Sequence, residues 1–194
     1  MALTLPDLIQ TFTLSLRDPR QAARRVIAWP LSVNERWTVL ALTAVTSTLS
    51  IELFVALAPE AADPAMASIL VNPLAFAAMQ FCGIVLMAGL IFVVGGRFGG
   101  TGSFADVLAV MGWMQVVLLA LQLAQVVALI LLPPLVGVIA LISLGLTLWL
   151  MPSFIAELHG FRSAFLTFLA MVGTLFALVV VLSLALVFLF GLGA

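Results

Sequence analysis

Three groups of residues in this chain have types and spacings that chemistry uses. Gly100-Thr101-Gly102-Ser103-Phe104-Ala105 fits the G-x-G-x-x-[G/A] pattern, in which glycines let backbone amides approach a dinucleotide pyrophosphate. Glu157, His159 and Arg162 bring an acid, an imidazole and a guanidinium into one short stretch. Glu52 is the one acid well inside a long apolar run, where an ionisable group marks a proton or ion site by default.

Each chemistry requires particular elements around it. A dinucleotide loop joins a strand to a helix within a βαβ unit and has an acid on the second strand. Here the preceding run, Pro73 to Val94, carries no charge and is long enough to cross a bilayer, far too long for a strand. The run after the loop reads "LAQVVALILL", still apolar and without an acid. A phosphate-binding P-loop needs a lysine, and the chain has none. The glycines therefore read as a flexible turn around Arg97, and Ser103-Phe104-Ala105-Asp106 as a Ser-x-x-Asp start of the next helix.

The trio of Glu157, His159 and Arg162 has no nucleophile beside it and reads as a solvated, headgroup-level turn, with Gly160 ending the helix. His159 and Cys82 are the only residues of their kinds, too few for a zinc site, and Cys82 reads as apolar filler. The expectation is a protein with no catalytic residues, no cofactor, no metal, and neither nucleotide nor nucleic acid among its partners.

Of the 194 residues, 65% are hydrophobic and 8% charged, against about 25% charged in soluble domains. So little polar surface cannot enclose such a core, and the solvent for most of the chain must be lipid. No secretory signal is visible, because the first long apolar run begins only near Trp37. Helices are expected at about 37–58, 73–95, 105–132, 135–152 and 163–190, with Pro133-Pro134 forcing the break between the third and fourth. The fold class is all-α: a polytopic membrane protein of five transmembrane helices, residues 36–194, behind an N-terminal amphipathic interfacial segment, residues 1–35.

Orientation follows from the arginines. Arg17, Arg20, Arg24, Arg25 and Arg36 precede the first span, Arg97 lies between the second and third, and Arg162 between the fourth and fifth. With five spans all seven fall on one side, which the positive-inside rule makes the cytoplasm. The N-terminus is expected inside and the C-terminus outside.

In the N-terminal segment, Thr4-Leu5-Pro6-Asp7 forms a capping arrangement and Asp18-Pro19 supplies a cap and a first-turn proline for a second helix. In that helix Arg20, Gln21, Arg24 and Arg25 share one arc, while Ala22, Ala23, Val26 and Trp29 share the other. Two readings stand side by side. The helix lies in the headgroup plane with Arg20, Arg24, Arg25 and Trp29 on anionic lipid, or it packs as a short helix under the bundle.

Counting along the spans at about 1.5 Å per residue places Glu52, Gln80, Gln125, Ser143 and Ser183 at a similar depth, with Gln122 a turn deeper. These residues read as an interhelical hydrogen-bonded layer, with Glu52 protonated or paired with Gln80; the functional alternative is a small transporter or channel built on Glu52. Ala120, Ala124 and Ala128, and Gly173 with Ala177, are small-xxx-small rows expected to pack inside the bundle.

The stretch "GGTGSFADVLAVMGWMQVV" resembles the start of the third helix in bacterial Yip1-domain proteins. "IAELHGFRSAFLTFLAM", residues 155–171, is similar to their approach to the fifth helix, and "DPRQAARRVIAWPLS" to their proline-containing lead-in. The resemblance implies five membrane helices with a cytoplasmic N-terminus and an external C-terminus, in the bacterial inner membrane. The leading expectation is a non-enzymatic protein of this type that organises membrane lipids or partner proteins, including further copies of itself; the alternative is an accessory subunit of a larger complex. Members often carry a tyrosine and a proline in the third helix, where Trp113 and Gln115 or its neighbours stand here. The acidic, tyrosine-bearing N-terminal motif of eukaryotic relatives, which are associated with Rab GTPases, is missing, so GTPase binding is not carried over.

Overall fold

The structure, a computed structural model, describes residues 3–59, 70 and 72–191. The described residues form seven helices: α1 (Leu5–Ser15), α2 (Pro19–Ile27), α3 (Val33–Leu57), α4 (Pro73–Arg97), α5 (Phe104–Leu131), α6 (Leu135–His159) and α7 (Ala164–Phe190). The last five are each long and apolar enough to cross a membrane.

Local chemistry sets their starts. Ser32 and Glu35 close a capping box, with the Ser32 amide donating to the Glu35 carboxylate at 2.7 Å and the Glu35 amide to Ser32 Oγ at 3.3 Å. That box starts α3 at Val33, ahead of the expected 37. Asn72 caps α4, Ser163 caps α7, and Ser103 with Asp106 opens α5 as the sequence indicates. The fourth span departs most from expectation: α6 continues past 152, through the buried Pro152, to His159. Pro152 removes one amide, and Ser153 Oγ donates to the Trp149 carbonyl at 2.7 Å beside the gap.

The core sits at the end where the arginines gather. The first half of α5, from Val107 to Trp113, is buried throughout, as is most of α6 from Leu150 to His159. Helix α3 packs on α5 and α4, and α5 on α6. A run of rings, Phe81 on Trp37, Trp37 on Phe104 and Phe104 on Phe92, ties α3, α4 and α5 together with centroids 5.7–6.1 Å apart. Helix α7 leans chiefly on α6, and among its described residues only Thr167 is buried.

The small-residue rows do not serve packing within the chain. Ala120, Ala124, Gly173 and Ala177 are exposed, and only Ala128 is buried. A side chain added at Gly173 would meet nothing within 4 Å. The spacing was right for a close approach, but these faces turn away from neighbouring helices.

Candidate functional site

The glycine-rich loop and the Glu157–Arg162 stretch, read separately in the sequence, form one structure. Both α4 and α6 end in the same motif. After α4, Gly99 adopts φ +84°, its amide bonds the Gly96 carbonyl at 3.1 Å, and the Gly100 amide reaches back to Gly95 at 2.9 Å. After α6, Gly160 adopts φ +73°, bonding Glu157 at 3.2 Å, and the Phe161 amide reaches Ala156 at 2.7 Å. These are paired Schellman turns, which use a left-handed glycine to satisfy the last helical carbonyls.

His159 fills the space between the two turns. Its side chain is fully buried, and a Cβ built on Gly95 would lie 2.1 Å from Nε2, one on Gly100 2.4 Å from Nδ1. The Nε2 atom lies 3.2 Å from the Ile91 carbonyl, which can only accept, so Nε2 carries the proton. Phe161 stacks on the ring at 5.5 Å, and the Thr101 amide donates to the His159 carbonyl at 3.3 Å. The glycines are therefore a cradle that lets α4 and its loop close on α6.

The expected solvated turn is corrected in the same place. Glu157 has 16% of its side chain exposed and faces Arg20 Nε at 3.2 Å and Arg24 Nη1 at 3.1 Å. Arg20 also donates to the Phe161 carbonyl and, at 3.1 Å, to that of Arg162, covering the chain just past the end of α6. Of the trio, only Arg162 remains exposed.

Helix α2 occupies the space under the bundle, the second of its two readings. Ala22, Ala23 and Val26 are buried and the helix packs chiefly on α6. Trp29 meets Trp113 edge-on at 5.2 Å, and Trp113 Nε1 donates to Ser15 Oγ at 2.9 Å, tying α1 to α5. Arg25 pairs with Asp7 at 3.2 Å. So the four residues expected on lipid headgroups, Arg20, Arg24, Arg25 and Trp29, each make protein contacts, and the apolar arc of α2 packs on α6. Arg36 completes this end: largely buried, it donates to the carbonyls of Leu31 at 3.2 Å and Ala105 at 2.6 Å and pairs with Asp106 at 3.3 Å.

Within the spans the expected polar layer is divided. Ser47 Oγ donates to Gln122 Oε1 at 2.7 Å, joining α3 to α5. Gln125 Nε2 donates to Ser143 Oγ at 3.3 Å, joining α5 to α6. Glu52 Oε1 and Gln80 Oε1 are buried without a hydrogen-bond partner among the described residues, and the pairing expected between Glu52 and Gln80 is not formed. Ser183 is exposed on α7. Among the described residues no group of three or more His, Cys, Asp or Glu side chains is arranged to hold a metal.

Five long apolar helices behind two short ones, locked at one end by ion pairs and helix caps, define a multi-pass membrane protein. The family profile described as Yip1 domain matches residues 13–190, nearly the whole chain, and the protein belongs to the Yip1-domain family. The match begins within α1 and takes in all of α2, in keeping with how closely α2 is built into the bundle. No curated protein and no solved structure matches the chain.

Proposed function

We propose that this protein is a non-enzymatic organiser of the membrane around it, acting on lipids or on partner proteins. It would lie in a bacterial inner membrane with its N-terminus in the cytoplasm and its C-terminus outside. One observation carries this reading: the acid, the imidazole and the buried guanidinium at the arginine-bearing end are engaged in holding the fold. Glu157 is held by two arginines, His159 is wedged between glycines, and Arg36 is bound to carbonyls and Asp106. What the chain offers its surroundings is apolar helix surface, above all α7. Affinity purification from native membranes, read by mass spectrometry for proteins and lipids together, tests the proposal. Reproducible enrichment of a lipid class or a membrane protein supports it, and recovery with neither counts against it. A larger complex recovered in constant stoichiometry would define the protein as an accessory subunit.

A second reading rests on Glu52, whose buried Oε1 has no partner among the described residues. A small transporter would use that carboxylate to carry a proton or cation. Flux into proteoliposomes that is lost in Glu52→Ala supports it. A protein without flux, in which Glu52→Gln folds and inserts normally, removes it.

A further inference from the structure

The seven arginines do not all serve the fold. Arg20 and Arg24 face Glu157, Arg25 faces Asp7 and Arg36 faces Asp106. Asp18 and Glu35 are occupied in capping α2 and α3. Arg17, Arg97 and Arg162 are exposed and make no ion pair among the described residues. Arg17 lies apart in the α1–α2 connection, whereas Arg97 adjoins Phe98 and Arg162 adjoins Phe161, two residues that line one groove.

That groove opens between α4, α6 and α7 and encloses about 250 Å³. It exists because α7 leans on α6 without closing against α4. Its lining is apolar except for Thr174, whose hydroxyl is already engaged by the Ala170 carbonyl at 2.7 Å. Leu90 and Val94 line it from α4, and Arg97 continues that row at the same helical spacing. Phe98 and Phe161 also line it, and Arg162 follows Phe161 directly. Arg20 holds the carbonyls of Phe161 and Arg162, so this edge of the groove is fixed. The result is an apolar cleft whose lining residues Phe98 and Phe161 are each next in the chain to an arginine with no ion pair among the described residues. A guanidinium pair beside a hydrocarbon-lined cleft matches a phosphate ester attached to an acyl chain.

We propose that the α4–α6–α7 groove binds one acyl chain of an anionic phospholipid, with Arg97 and Arg162 holding its phosphate. This rests on the lipid-organising reading above and names the lipid class. The test is native mass spectrometry of full-length protein from nanodiscs containing equal phosphatidylglycerol and phosphatidylcholine. The wild type should retain one phosphatidylglycerol, favoured over phosphatidylcholine by about tenfold, because both lipids offer a phosphate but the choline cation of the second is repelled by the two guanidinium groups. Arg97→Gln combined with Arg162→Gln should abolish that preference. Met171→Trp, which fills the groove and leaves both arginines in place, should lower retention of both lipids, with thermal unfolding of each variant confirming the fold. Equal retention of the two lipids by the wild type overturns the proposal, as does preference that survives the arginine changes. A dimer that falls apart in Met171→Trp also overturns it, because the groove would then hold a second copy. If annular lipid is enriched in native membranes while these variants change nothing, this site fails and the broader reading stands.

Discussion

The imidazole of His159 lies against the bare backbone of Gly95, so close that a methyl group there would fall 2.1 Å from Nε2. The ring has nowhere to go, with Gly100 on its other side, Phe161 stacked on it and Ile91 holding Nε2. Gly95→Ala should therefore cost about 1–3 kcal/mol, as overpacking of a buried site does. Gly96→Ala is the control: its Cβ meets nothing within 4 Å, and replacing a helical glycine should be neutral or stabilising by up to about 1 kcal/mol. Unfolding in mild detergent should separate the two variants by sign, and equal effects would mean that the ring is not confined.

Glu157 joins two arginines of α2 to the end of α6. Arg24 is 62% exposed and its share is small, whereas the carboxylate is 16% exposed and sits closer to the buried case. Glu157→Gln should cost about 1–2 kcal/mol, between the values for surface and buried pairs. The loss should be local, so limited proteolysis should cut the chain around α2 sooner while the spans stay intact. Unchanged cleavage would show that apolar packing by Ala22, Ala23 and Val26 holds α2 alone.

Asp7 reports on α1 through pH. Hydrogen bonds from the Thr4 hydroxyl and amide hold its carboxyl below the ordinary value of 3.8, and Arg25 adds to the effect. A lowered folded value means the contribution is complete above that ordinary value and is lost as pH falls through the depressed one. Relative to its intrinsic rate, amide exchange in α1 should accelerate only on acidification below about pH 4, and Asp7→Asn should show that faster relative rate at every pH. Acceleration already between pH 7 and 5 would point to a different group.

The reach of sequence reasoning here has a physical boundary. Helix existence is written locally, in runs of apolar residues and in caps such as Ser103 with Asp106, so the five spans could be read directly. Depth along a span also follows from counting, but direction around it does not. Ser183 turned outward for that reason, and Ser47 went unnoticed among other hydroxyl residues of α3, which bond their own backbone. The apolar arc of α2 is the same whether it meets lipid or α6, and only the position of Glu157 on a distant helix decides between them. The cradle around His159 was least legible, because Gly95 and Gly100 are defined by a ring more than fifty residues away in the chain.

Orientation in the membrane is the prediction on which the lipid site most depends. The ends of α4 and α6 and the starts of α3, α5 and α7 meet at one end of the bundle, and every arginine lies there. Cytoplasmic retention of arginine should place that end inside, where anionic headgroups are available to Arg97 and Arg162. Five crossings then carry the C-terminus to the opposite side. A reporter fused after Ala194 should be active only outside the cytoplasm, and one fused ahead of Met1 only within it. Reporters that share a compartment would require an even number of crossings. The span to reassign would be α7, the one helix that leans chiefly on a single neighbour.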